Sequence, residues 1–298
     1  MSAPRRAPRR RIDGVLLLDK PAGLTSNGAL MRVKRLYNAE KAGHTGTLDP
    51  LASGLLPICF GSATRFAQFL LDASKRYVAT IRFGVATTTQ DADGEVVHTR
   101  PVMLGRHALV NAMARFVGPQ MQLPPAHSAL KFEGKPYYDY ARKGIEIPRT
   151  PREVNVFALR LLEWNSPDAI VDVECSKGTY VRALAADLGE ALGCGAHLAG
   201  LRRTASGAFE VADAIALERL EADDDDARLA CLLPVDAPVA AMKRLDLDAA
   251  AVGALLQGRR PPASAPDGQY RAYGPAGFLG IVEAATAQLR SIRLLPDS

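Results

Sequence analysis

Apolar residues recur along this 298-residue chain with two spacings, and the spacings separate strands from helices. Gly14-Val15-Leu16-Leu17-Leu18 is a short unbroken apolar run ended by Asp19-Lys20-Pro21, which predicts a buried strand. Pro21-Ala22-Gly23 reads as a turn, and Ser26 as the N-cap of a helix over about 27–37. In that helix Leu30, Val33 and Tyr37 share one face, while Arg32 and Arg35 lie opposite. A second helix is expected over 62–71, packing through Phe66, Phe69 and Leu70. Tyr77, Ala79, Ile81 and Phe83 alternate onto one face of a strand. Residues 106–117 form an amphipathic pattern stopped by Gly118-Pro119. Residues 170–175 alternate as a strand. Thr179 then caps a helix running to about Leu192, with Tyr180 and Arg182 in its first turn. From Leu245 onward, glycines and prolines punctuate short strands, the texture of a small β-rich domain.

Composition narrows the class without naming a function. A hydrophobic share of 48% and a charged share of 23% are ordinary for a globular chain. No apolar run approaches membrane length, and none resembles a signal-peptide core. The four cysteines form no C-x-x-C pair and the five histidines no H-x-x-x-H, so no metal site is expected and a reduced, cytoplasmic setting is. The net charge of +5 is local: five arginines stand in residues 1–11, and without them the chain is formally neutral. Residues 1–11 are expected to be a disordered Arg-rich tail. The run Asp223–Asp226 reads as a solvated face or loop.

Candidate chemistry gathers in two stretches. Residues 43–57 hold His44 and Asp49 five positions apart, three glycines and two prolines. Pro50 pushes Asp49 toward extended geometry, so the acid stands on a stiff loop among apolar neighbours. Residues 124–152 are bounded by prolines and interleave basic residues with tyrosines: Lys131, Lys135, Arg142 and Lys143 beside Tyr137, Tyr138 and Tyr140. That mixture suits RNA, where bases stack on rings and phosphates meet Lys and Arg, and equally an exposed loop with a partly buried Tyr cluster.

Several motifs in order, over about residues 12–298, resemble the bacterial TruB-type tRNA pseudouridine synthases. They are residues 43–57, Lys75-Arg76-Tyr77, Asp91-Ala92-Asp93-Gly94, Ser128-Ala129-Leu130-Lys131, the stretch 175–182, the stretch 193–198 and Leu201-Arg202-Arg203-Thr204. The resemblance implies an α+β fold: a mostly antiparallel sheet flanked by helices in a catalytic domain over 12–244, and a small PUA-like RNA-binding β-barrel over 245–298. It implies isomerisation of uridine to pseudouridine at position 55 in the TΨC arm of tRNA, with no cofactor, no obligatory protein partner and a monomeric chain. It maps the catalytic aspartate onto Asp49, the uracil-stacking ring onto Tyr77 and the aspartate's cationic partner onto Arg182. His44, Tyr180, Leu201, Asp91 and Lys20 map onto further substrate-binding or loop-supporting positions. Residues 124–152, with Lys131, Lys135, Arg142 and Lys143, correspond to an insertion that clamps the RNA. An RNA-folding protein using the same surface is the alternative. The insertion and the absence of long Lys-rich tails favour a standalone enzyme over a guide-RNA-dependent relative.

Overall fold

The computed structural model describes residues 8–296. Its centre is a mixed sheet of ten strands. In chain order the first four are β1 (Gly14–Lys20), β2 (Ala42–His44), β3 (Ser53–Phe60) and β4 (Lys75–Phe83). Across the sheet the order is Ile215–Ala216, β1, β3, Ala196–Ser206, β4, Asp168–Cys175, Arg152–Asn165 and Gly118–Gln122. β2 pairs with β3, and Phe209–Glu210 with Ala196–Ser206. Two of these pairings are parallel, Ile215–Ala216 on β1 and Ala196–Ser206 on β3; the rest are antiparallel. The fold is therefore α+β with a mostly antiparallel sheet, as expected.

The alternating face of β4 is buried throughout: Tyr77, Ala79, Ile81 and Phe83 join Val171, Val173, Leu184 and Leu188 in the largest apolar cluster. A second cluster forms where helix α1 (Ser26–Leu36) lays Leu30 and Val33, with the following Tyr37, against Leu16, Leu18, Leu56 and Phe60. Helix α1 is capped one residue earlier than expected. Thr25, not Ser26, accepts the Gly28 N–H at 2.9 Å. The segment 61–72 is a 3-10 turn over Gly61–Phe66 followed by helix α2 (Ala67–Asp72), and the later helix spans Val181–Ala191 with Tyr180 as its cap.

Two features were not visible in the hydrophobic pattern. The second half of the Gly43–Pro57 stretch is not loop but β3, which runs beside Ala196–Ser206 so closely that a Cβ on Gly54 would lie 2.3 Å from the Arg203 carbonyl oxygen. Glycine is required there by space and by its φ of +100°. Arg152–Asn165 is a fourteen-residue strand whose register shifts twice, between Val156 and Ala158 and between Leu161 and Glu163. Each bulge breaks the alternation that would reveal a strand.

Residues 1–7 of the expected tail lie outside the described residues. The end of that tail is anchored: Arg10 donates its N–H to the Asn38 carbonyl at 2.7 Å and pairs with Asp225 at 2.9 Å. Within the acidic run, Asp224 caps the short helix Asp225–Ala230 by accepting the Ala227 N–H at 2.9 Å. The C-terminal segment is built on a four-stranded sheet from Arg244–Asp246 to Gln288–Leu294. It packs on the main body through Phe278, whose ring centroid lies 5.2 Å from that of Phe66.

Candidate active site

The loop between β2 and β3 is held from several sides. At its ends Arg203, only 1% exposed, donates from Nε to the Leu55 carbonyl at 2.6 Å and from Nη2 to the Gly46 carbonyl at 3.2 Å. At its centre Ser26 Oγ accepts the Leu48 N–H at 2.7 Å and donates to the Leu48 carbonyl at 2.9 Å. Just past Asp49, the Gly23 N–H donates to the Pro50 carbonyl at 2.8 Å, and the Ala52 N–H to that of Asp49 at 3.0 Å. The turn after β1 is itself tied down by Lys20. Its side chain is fully buried, and the ammonium donates to the Pro21 and Leu24 carbonyls at 2.8 and 2.6 Å. Burial pushes the Lys20 pKa down to about 8, with Arg203 adding to the effect and Asp49 opposing it. Lys20 therefore holds the turn that supports the loop, and its side chain is not among those lining the cavity described below.

Asp49 projects from this frame toward Arg182. Arg182 Nη2 lies 3.1 and 3.3 Å from the two Asp49 carboxylate oxygens and donates to the His127 carbonyl at 2.7 Å. Its Nη1 reaches Asp91 Oδ2 at 3.6 Å. The planar fork thus spans two carboxylates, the arrangement that favours Arg over Lys. Arg182 and Asp91 are buried, whereas the Asp49 side chain is 39% exposed, facing the cavity. Asp91 is oriented by Thr89 Oγ1 at 2.5 Å and by the Asp93 N–H at 3.2 Å. Burial raises the Asp49 pKa above the usual carboxylate range; Arg182 and Lys20 pull it down, while Asp91 and Asp93 push it further up.

A cavity of about 400 Å³ opens over this array, lined among others by Asp49, Tyr77, Tyr180, Arg182 and Leu201. Five of the expected residues thus meet at one site although they lie far apart along the chain. Tyr77 sits on β4 paired with Arg203 and Val173 of the flanking strands, and burial raises its hydroxyl pKa. The Arg182 guanidinium lies 5.8 Å from the Tyr180 ring centroid. Asp91 reaches the site through Arg182. His44 does not line the cavity. It lies on β2, its imidazole pKa is lowered by burial and by Arg203, and its Nδ1 is buried without a hydrogen-bond partner among the described residues.

Residues 124–152 form a short hairpin, Lys131–Phe132 with Lys135–Pro136, and the helix Tyr137–Ala141. Lys131, Lys135 and Lys143 are exposed, and Arg142 is exposed as well. The base of the segment belongs to the site: Ala129 and Leu130 line the cavity, and His127 accepts the Arg182 bond.

Four contributors escape a sequence reading. Arg203 stands two residues after Leu201 on one strand, so alternation could have found it. Lys75 lines the cavity, donates to the Leu70, Leu71 and Ala73 carbonyls at the end of α2, and has its pKa pushed down to about 8 by burial. Gln122 clamps the Tyr180 backbone, accepting its N–H at 2.8 Å and donating to its carbonyl at 3.1 Å, and nothing in the sequence connects these distant positions. Ser26 has the sequence signature of a cap and a different role. Among the described residues no cluster of His, Cys, Asp and Glu could hold a metal ion, and no helix is long and apolar enough to cross a membrane.

Comparison with known proteins identifies the family. Residues 34–181 match the N-terminal domain of the TruB family of pseudouridylate synthases, and residues 182–240 match the tRNA pseudouridylate synthase B C-terminal domain. The chain is 52% identical to the tRNA pseudouridine synthase B of Cupriavidus metallidurans, covering 98% of this chain and 97% of that protein. It is 53% identical to the protein of the same name from an Azoarcus species, again covering 98% and 97%. Among solved structures it is similar to the crystal structure of a Cbf5–Nop10–Gar1 complex. There the TM-score is 0.71 and the identity 27%, with 95% of this chain and 84% of that one covered.

Proposed function

We propose that this chain, which belongs to the TruB family of pseudouridylate synthases and isomerises uridine in tRNA, acts at position 55 of the TΨC arm and starts the reaction with the Asp49 carboxylate. The observation that carries the proposal is the Asp91–Arg182–Asp49 array at one cavity with Tyr77. Isomerisation breaks the N1–C1′ bond and forms a C5–C1′ bond. C5 loses its proton and N1 ends protonated, so product and substrate have the same atoms and no electrons are gained or lost. The reacting base must first leave the stack, at a cost of a few kcal/mol. Stacking on Tyr77 returns ~1–3 kcal/mol, and phosphate and shape contacts supply the remainder.

Asp49 serves as nucleophile or base in glycosidic cleavage and must be ionised to do so. Burial alone favours the protonated acid; Arg182 opposes it, and Asp91 balances the guanidinium. Tyr180 and Leu201 line the space beside the base. Lys131, Lys135, Arg142 and Lys143 take the RNA backbone. In this reading residues 12–244 are the catalytic domain and 245–298 an RNA-binding domain. The near-complete match to relatives named tRNA pseudouridine synthase B supports the tRNA substrate, and in this reading the enzyme is standalone, monomeric and cytoplasmic.

The test is pseudouridine mapping, position by position, on an unmodified tRNA transcript with wild type and Asp49→Asn. The expected outcome is one modified uridine, at position 55, with wild type and none with the variant. Modification elsewhere overturns the assigned position, and product from Asp49→Asn overturns the assigned carboxylate.

A further inference from the structure

Ser26 has a hydroxyl that helix α1 does not use. The capping bond belongs to Thr25, so Ser26 Oγ is free to leave the helix. The residue is 1% exposed, and its hydroxyl bonds both backbone polar groups of one residue: it accepts from Leu48 N at 2.7 Å and donates to Leu48 O at 2.9 Å. Leu48 directly precedes Asp49. On the other side of Asp49, the Pro50 carbonyl accepts from Gly23 N at 2.8 Å. The residues before and after the reacting acid are thus tied to Ser26, at the start of α1, and to Gly23, in the turn that precedes it. Beyond Arg182, no hydrogen-bond partner of the Asp49 carboxylate is found among the described residues.

We propose that Ser26 is a positioning residue for the pseudouridylation reaction: by gripping both backbone polar groups of Leu48 it sets where the Asp49 carboxylate stands relative to Arg182 and the flipped base. The proposal rests on the reading of Asp49 as the reacting carboxylate. A displaced carboxylate moves away from the Arg182 guanidinium that favours its ionised form, while Asp91 and Asp93, which oppose ionisation, remain nearby, as does the weaker help of Lys20. Two consequences follow from one cause: a slower chemical step and an acid limb of the rate profile moved to higher pH. Binding of tRNA is set by other surfaces and is left alone.

The experiment compares wild type, Ser26→Ala, Ser26→Cys and Asp49→Asn as full-length proteins on an unmodified tRNA transcript. Single-turnover rate is measured across pH, and tRNA affinity and melting temperature on the same preparations. Ser26→Ala is expected to lower the saturating rate about 10- to 100-fold with Kd within about twofold, because sub-ångström misplacement acts on the reacting geometry and not on ground-state binding. Its acid limb moves upward, and Ser26→Cys, which keeps the shape with a weak donor, falls between. A Ser26→Ala protein that melts lower but keeps the wild-type rate and acid limb overturns the proposal, as does a loss of affinity that matches the loss of rate. Hydrogen exchange on the wild-type protein decides the matter should both variants fail to fold. The Leu48 amide is expected to be protected like those of β3, and exchange at the rate of a free loop overturns the grip. An active Asp49→Asn brings down the reading of Asp49 as the reacting carboxylate, on which the proposal rests. An inactive Asp49→Asn beside a wild-type-like Ser26→Ala brings down only the role of Ser26.

Discussion

The cavity and the 124–152 segment carry charge in opposite ways. At and beneath the cavity Arg182, Lys20, Lys75 and Arg203 are buried and matched. Arg182 faces two carboxylates, and Lys20, Lys75 and Arg203 donate to backbone carbonyls. On the segment, Lys131, Lys135 and Lys143 are exposed and form no ion pair among the described residues, and Arg142 stacks over Tyr138 at 5.4 Å. The difference follows from desolvation. A charge removed from water must be paired where it stands, which pre-organises it for one task. A charge left in water is free to meet a mobile polyanion and to release counterions as it does so. On the function proposed above, one region reacts and the other holds. The contrast can be broken or sharpened by substitution.

The largest effect is expected at Asp49. Asp49→Asn keeps the shape and removes the ionisable oxygen, so the single-turnover rate falls by about 10³-fold or more while tRNA affinity persists. Next comes Arg182→Met. Loss of the guanidinium leaves the buried Asp91 and the half-open Asp49 unpaired; the chemical step slows by about 10²-fold or more, and stability falls by up to about 3 kcal/mol, less to the extent that water reaches Asp49. Stability measured by denaturant titration should drop more for this variant than for Asp49→Asn. Gly54→Ala tests the frame rather than the charges. A Cβ 2.3 Å from the Arg203 carbonyl oxygen, at a φ of +100°, forces β3 away from its neighbour. The expected loss is about 1–3 kcal/mol, read as a lower melting temperature. Replacing Lys131, Lys135, Arg142 and Lys143 together by Ala should weaken binding and make its salt dependence shallower. The log–log slope is expected to fall by up to about three, at roughly 0.7–0.9 for each phosphate that is no longer neutralised. An unchanged salt slope places the segment off the RNA.

The smallest effect is a shift in pH dependence. Burial raises the Asp49 pKa, and the role proposed for Asp49 requires the ionised form. A raised pKa means that the proton is lost at higher pH, so activity falls on acidification earlier than an ordinary aspartate would dictate. The acid limb of the single-turnover rate should therefore lie above the usual carboxylate range, and Arg182→Lys should move it higher still. An acid limb at or below that range contradicts the upward shift of the Asp49 pKa.

Much of the fold was legible because burial is periodic. The face Tyr77, Ala79, Ile81, Phe83 is buried as read, and so are Leu30, Val33 and Tyr37. Where periodicity fails, so does legibility. Bulges in Arg152–Asn165 put neighbours out of step, and β3 reads as loop because Gly54 and Pro57 stand inside an unbroken apolar run. The meeting of Asp49, Tyr77, Tyr180, Arg182 and Leu201 was legible only through resemblance, since no local pattern joins segments so far apart. Lys20 and Ser26 show the other limit. A lysine beside a motif and a serine before a helix have ordinary surface uses, and only long-range packing reveals that both are spent on backbone carbonyls and amides around the loop that carries Asp49.

The division between reacting and holding is tested most directly by single-turnover kinetics over a range of enzyme concentrations on unmodified tRNA, with Arg182→Met beside the four-residue alanine variant. A crossed result is expected. Arg182→Met loses the saturating rate and keeps the half-saturating concentration, whereas the alanine variant raises the half-saturating concentration and keeps the saturating rate. Arg182→Met losing affinity in step with rate, or the alanine variant losing its saturating rate, would contradict it.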